Sequence, residues 1–207
     1  MAKKGVSLSI GRGEKLPASQ GAGLTAKGRA GHGSMMNDEN ALTALSEAVA
    51  KIGRYDWPQR YTKVVKDLFK RVAQATGRPY DENDLRPLLK EIGPTARMIG
   101  ATLQNTANPT MLEAGYKANV IPQKATATID GRFLPGHEDE LLNTIKKLIG
   151  PDVEVNVLVR DKALEVDFDG PLVEAMIAAI KKFDPEGIVV PYLMSGGTDN
   201  KALSDLG

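Results

Sequence analysis

The feature that most constrains this chain is a ten-residue run, Lys124 to Phe133, in which apolar and polar side chains alternate. Ala125, Ala127, Ile129 and Phe133 fall on one face, and Thr126, Thr128, Asp130 and Arg132 on the other. A period of two belongs to a strand, and a strand with one apolar face must lie in a sheet covered on that face only. Leu134-Pro135-Gly136 stops the run, and Asn119-Val120-Ile121-Pro122 leads into it through a turn. Everything else must build around this strand.

The helical signals lie on either side. Asn37 or Asp38 is placed to cap a helix whose stripe is Leu42, Leu45, Val49 and Ile52, closed by Gly53. Val64, Val65, Leu68, Phe69 and Val72 form a second stripe ending at Gly77, and Leu85, Leu88, Leu89 and Ile92 a third ending at Gly93-Pro94. Pro94 can open another short helix across Met98 to Leu103. Glu138, Asp139 and Glu140 begin, and Lys146 and Lys147 end, a helix closed by Gly150, with charges that complement its dipole. Leu24 to Ala30, Thr110 to Tyr116 and the valines 153, 155, 157 and 159 read as strands, and Val6 to Ile10 as an edge strand.

With residues 54 to 104 set aside as a helical insertion, the order is strand, helix, strand, strand, helix, strand. That is the split βαβ, ferredoxin-like arrangement, within the α/β class. We expect it to span 24 to 166, flanked by separate segments at 1 to 23 and 167 to 207. In the last segment Pro171 opens a helix with Leu172, Val173, Met176, Ile177 and Ile180 expected on its buried side. Ile188 to Met194 reads as a doubly covered parallel strand leading into the loop Ser195 to Asn200.

The formal charge is +1, from 27 basic and 26 acidic residues, so no overall field draws the chain to nucleic acid or to an anionic membrane. Neither a signal peptide nor a membrane span is readable, cysteine is absent, and the expected location is cytoplasmic.

Few residues offer chemistry. His32 sits between Gly31 and Gly33 beside Ser34, where its imidazole can donate to a developing oxyanion or simply lie exposed in a glycine turn. Arg132 can fork a ligand carboxylate or pair with Asp130 on its own face. Asn119 reads as an amide donor or a turn residue, and Gly197-Thr198 as part of a loop able to contact an anionic ligand. His137 is expected at the surface of a turn, and Met35, Met36 and Trp57 as packing residues. No set of metal ligands can be assembled from this chain.

Taken together, Lys27-Gly28 with Ala30-Gly31-His32-Gly33-Ser34, Asn119-Val120-Ile121-Pro122, Asp130-Gly131-Arg132 with Leu134-Pro135-Gly136, and Ser195-Gly196-Gly197-Thr198-Asp199 resemble a known family. It is that of the zinc-dependent exopeptidases and amidohydrolases that includes aminoacylase, acetylornithine deacetylase, succinyl-diaminopimelate desuccinylase and the carboxypeptidase G type. The section after Trp57 is similar to a long-lid bacterial subgroup. The resemblance implies a homodimer formed through the lid and a peptide or N-acyl amino acid substrate. His32 would act in the partner subunit's site as the oxyanion stabiliser, Asn119 and Arg132 would hold substrate, and Gly197 and Thr198 would contact it. Two zinc ions serve the family, held by a His-x-Asp motif, a Glu-Glu pair, a further acid and a late His, none of which stands here. The resemblance therefore implies an internal fragment of a di-zinc hydrolase, with 1 to 23 and 167 to 207 as segments of a partial α/β catalytic domain around the lid. The alternative is a non-catalytic dimerisation or anion-binding module built on the lid fold.

Overall fold

The computed structural model describes residues 6–10, 22–157, 159–160 and 163–194, with the side chains of 6–10 and 159–160 left aside. Strand β6, Lys124–Phe133, keeps the bounds expected of it, and its burial alternates residue by residue. It is paired along both edges. On one side β4, Thr106–Ala114, runs antiparallel to it from Thr106 opposite Arg132 to Ala114 opposite Ala125. The other edge is shared end to end by two strands. There β2, Ala22–Lys27, covers Lys124 to Ile129, and β1, Val6–Ile10, covers Ile129 to Phe133.

After α5, Glu138–Ile149, the chain returns as β7, Val153–Asn156, beside β2, and then as β8, Val159–Arg160, beside β1. The order β7-β2-β6-β4, all antiparallel, is the ferredoxin-like order expected from the sequence. The segment Val6–Ile10 lies inside the sheet between β6 and β8 rather than at its edge. The valine run after Gly150 is broken at Val157 into two short strands, each following its own neighbour.

One face of the sheet is covered and the other open. Leu24, Ala26, Ala125, Ala127, Ile129 and Phe133 meet Leu45, Ala48 and Ile52 of α1, Ala41–Gly53, and Leu141 and Ile145 of α5 in the main core. Trp57 closes this core at its margin, the packing role expected of it. The opposite face carries Thr25, Thr126, Thr128, Asp130 and Arg132, which is why this strand's polar positions were free to take chemistry.

Residues 63–103 build a second core. Here α2, Lys63–Thr76, is capped by Thr62 and closed by Gly77 in the left-handed region, and it buries Val64, Val65, Leu68 and Phe69. Short turns follow at α3, Arg86–Leu89, at a 3₁₀ segment, Lys90–Thr95, and at α4, Ala96–Gly100. They add Leu85, Leu88, Ile99 and Leu103, with Leu134 and Leu193 joining from elsewhere in the chain. Gly93, at φ 58°, breaks the helical path at the expected position.

Four local readings are corrected. Helix α1 is capped by Asn40, whose side chain accepts from the N–H groups of Leu42 and Thr43. Asn37 and Asp38 are already engaged, Asn37 with the Arg29 carbonyl and the Glu39 N–H, Asp38 with the Arg29 guanidinium. Met35 and Met36 do not pack, and Met36 is fully exposed. Helix α6, Pro171–Phe183, buries Val173, but Leu172, Met176 and Ile180 are exposed because no described helix or strand crosses that stripe. Residues 188–194 form no strand. Leu193 enters the helical core, and the Val189 carbonyl accepts from Arg71 instead of joining a ladder.

Two local details fix the two ends of β6. A Cβ on Gly28 would lie 2.1 Å from the Glu39 carbonyl oxygen and 2.7 Å from the Ala41 nitrogen, so the chain passes the start of α1 only without a side chain. Asn105, 2% exposed, accepts from the Leu134 N–H at 2.9 Å and donates to the His137 carbonyl at 3.1 Å, fixing the turn that follows β6. Gly28→Ala should destabilise the chain by about 1–3 kcal/mol, the scale of an overpacked site. Asn105→Ala should cost about 1–3 kcal/mol by leaving the buried Leu134 N–H and the His137 carbonyl without this partner. Urea unfolding midpoints at an unchanged slope would check both.

Candidate functional site

Beyond Lys27 and Lys124 the ladder between β2 and β6 continues as a two-stranded arm. The Gly28 N–H donates to the Gln123 carbonyl at 2.9 Å. Next β3, Gly31–His32, pairs with β5, Val120–Ile121, with Gly31 opposite Ile121 and His32 opposite Val120. The Gly33 N–H then donates to the Asn119 carbonyl at 2.9 Å. Three steps on one strand, 28 to 31, against two on the other, 123 to 121, mark a bulge at residues 29–30.

This arm joins two of the residues singled out in the sequence. The Asn119 carboxamide nitrogen lies 3.0 Å from His32 Nε2, although 87 positions separate them in the chain. The other ring nitrogen is also engaged. Ser34 Oγ lies 2.7 Å from Nδ1, and the Ser34 backbone N–H donates to the same atom at 3.3 Å. The Met35 N–H closes the turn onto the His32 carbonyl. The loop behind it is braced by Asn37 and by the Arg29–Asp38 ion pair. An exposed imidazole held at both nitrogens is oriented before any ligand arrives.

Arg132 stands elsewhere. It pairs with Asp130 on the open face, Nε and Nη2 donating to Oδ2 at 3.1 and 3.0 Å, and both side chains are half-buried. Thr106 and Asn108 of β4 lie opposite these two residues. The eight residue steps from Lys124 to Arg132 amount to roughly 26 Å, and the arm leaves from the Lys124 end. Within one chain, His32 and Asn119 lie at one end of β6 and Arg132 at the other.

His137 is half-buried at the start of α5, with Nδ1 2.7 Å from Glu140 Oε2, and Glu140 also receives Arg60. Gly197 and Thr198 lie outside the described residues. Among the described residues no group of three His, Asp or Glu side chains could hold a metal ion. Sequence reasoning did not find the grip of Ser34 on His32, although the His-Gly-Ser spacing was visible. Asn105, which fixes the turn after Arg132, carries no local signal at all.

A family model described as a peptidase dimerisation domain matches residues 18–156. Among curated proteins, the chain is 27% identical over 180 residues to probable carboxypeptidase S-like 2 of Dictyostelium discoideum, covering 83% of this chain and 34% of that protein. It is 27% identical over 188 residues to mouse (Mus musculus) N-fatty-acyl-amino acid synthase/hydrolase PM20D1, covering 85% of this chain and 37% of that one. The chain thus spans about a third of the length of the curated relatives it matches. The fold is shared with the M20 family metallo-carboxypeptidase Sso-CP2 of Sulfolobus solfataricus, at a TM-score of 0.56 and 18% identity over 95% of this chain and 47% of that one. It is also shared with the aminopeptidase PepT of Bacillus cereus, at a TM-score of 0.55 and 15% identity over 100% of this chain and 44% of that one. With its ferredoxin-like strand order and a family model that matches residues 18–156, this protein belongs to the M20 peptidase dimerisation-domain family.

Proposed function

We propose that this chain supplies the lid, the dimer contact and the substrate clamp of a di-zinc hydrolase acting on peptide or N-acyl amide bonds, in which two copies complete each site. The observation that carries the reading is the separation of His32 and Asn119 from Arg132 along β6. A substrate the size of a dipeptide cannot touch both ends of a strand roughly 26 Å long.

A second copy removes the difficulty. Strand β4 pairs only with β6 among the described strands, and its outer edge is open from Asn108 to Ala114. Met111 and Leu112 are 46% and 51% exposed there, an apolar edge of the kind that accepts another strand. An antiparallel twofold contact between two β4 strands sets Ala114 of one copy near Thr106 of the other. Ala114 leads into the arm that carries Asn119 and His32, and Thr106 lies opposite Arg132. One copy's His32 and Asn119 then share an end of the joined sheet with its partner's Arg132.

In this arrangement Arg132 forks a substrate carboxylate, Asn119 holds a polar group of the substrate, and His32 donates to the oxyanion that forms when the amide carbonyl is attacked. Gly197 and Thr198 would contact substrate from the catalytic side. No group of described residues fits the zinc ions, whose ligands would lie outside them. Segments 1–23 and 167–207 would then border the catalytic domain, with 54–104 inserted in the lid. No described helix is long and apolar enough to cross a membrane, which is compatible with the cytoplasmic location we propose.

A second reading, a non-catalytic dimerisation or anion-binding module, is favoured by the family match itself, which covers the dimerisation domain. The purified 207-residue chain should sediment as a dimer and cleave neither dipeptides nor N-acyl amino acids with added zinc. Leu112→Lys, on the exposed edge, should shift it to monomer in the same sedimentation experiment. Metal-dependent cleavage by the chain alone would refute the division of labour. In the full-length hydrolase, His32→Ala should lower kcat by about 10²–10³-fold, while Arg132→Met should act mainly on KM. A full-length protein with neither activity nor sensitivity to these changes would favour the module.

A further inference from the structure

His32 can be neutral in two forms, and only one of them can stabilise an oxyanion from the outer side of the ring. With the proton on Nε2 the exposed edge presents a donor, whereas with the proton on Nδ1 it presents a lone pair, which repels developing negative charge. What surrounds Nδ1 decides between them.

The Ser34 backbone N–H points at Nδ1 from 3.3 Å and cannot be turned away, since it is fixed by the chain and the adjoining His32–Met35 turn. A proton on Nδ1 would face this N–H head on. A bare Nδ1 accepts from it and shares its one lone pair with the Ser34 hydroxyl at 2.7 Å, whose hydrogen rotates freely to suit. Both Ser34 donors are therefore used only when Nδ1 is unprotonated. The proton then resides on Nε2, where the partner at 3.0 Å is the Asn119 carboxamide. That group accepts from Nε2–H after a half-turn that exchanges its nitrogen and oxygen, two atoms of nearly the same shape.

We propose that Ser34 is a positioning residue that holds neutral His32 in the Nε2–H form, directed at Asn119 in the free protein and at the oxyanion during hydrolysis. The catalytic consequence rests on the hydrolase reading above. The tautomer does not, and it is measurable on this chain without any activity.

The chain has two histidines, so its imidazole spectrum is simple. The second is an internal standard of the opposite kind. His137 Nδ1 faces a carboxylate oxygen of Glu140 at 2.7 Å, and in the neutral ring that nitrogen must carry the proton to donate.

The experiment is a long-range 15N–1H correlation spectrum of the 207-residue chain labelled with 15N-histidine, recorded about two pH units above the ordinary imidazole value of about 6.5. The expected result is a protonated Nε2 and a bare Nδ1 for His32, with the reverse for His137. Ser34→Ala, which keeps the backbone N–H, should leave the single His32 form and His137 unchanged, which also reports an intact fold. Ser34→Pro, which has no backbone N–H, should turn the His32 pattern into a mixture of both forms while leaving His137 unchanged. A proton on Nδ1, or a mixture, at His32 of the unaltered chain overturns the proposal. So does a Ser34→Pro spectrum identical to that of the unaltered chain. Either outcome would leave the hydrolase reading to stand or fall on its own kinetics.

Discussion

The pairing of β6 along both of its edges is the interaction on which the rest depends. One edge holds β4 over nearly the full length of the strand, and the other holds β2 and β1 end to end. A ten-residue strand in this position fixes the register of every neighbour, because a slip of one residue would turn Ile129 and Phe133 out of the core and Asp130 and Arg132 into it. The helices α1 and α5 then have a single apolar face to cover. The open face, relieved of packing, carries the polar residues.

The same strand explains how the candidate site is divided. Its Lys124 end extends into the arm where His32 meets Asn119, and its Phe133 end carries Arg132 and runs into the turn pinned by Asn105. Gly28 is the point at which the arm squeezes past the start of α1, and the close approach of the Glu39 carbonyl leaves no room for a side chain there. Two polar clusters are thus rigidly held but far apart. That separation along one strand is what the proposed sharing of the site between two copies rests on.

Much of this was legible in the residues. The alternation from Lys124 to Phe133 and the charge pattern of 138–147 gave element bounds close to those observed, since both signals are dense and local. Trp57 and the Val64 to Phe69 stripe were likewise readable as core. Other features depended on what lies opposite. The apolar stripe of α6 and the run 188–194 have the composition of buried elements, but burial requires a neighbour, and among the described residues none is supplied. The cap of α1 moved from Asn37 or Asp38 to Asn40 because a loop took both earlier residues for its own hydrogen bonds. The site was partly legible. His32, Asn119 and Arg132 stood out by type and spacing, but the grip of Ser34 and the reach of Asn105 across the fold are facts of tertiary geometry that no local pattern encodes.

The central claim is that His32 of one copy and Arg132 of another serve the same substrate. The most direct test mixes two impaired forms of the full-length protein, His32→Ala and Arg132→Ala, by co-expression, with the rate measured at substrate well below KM. If the two residues act across the dimer, about half of the dimers are mixed and each carries one intact site, so activity should return to about a quarter of the unaltered rate. If the mixture shows no more than the sum of the two separate forms, the residues act within one chain and the account is contradicted.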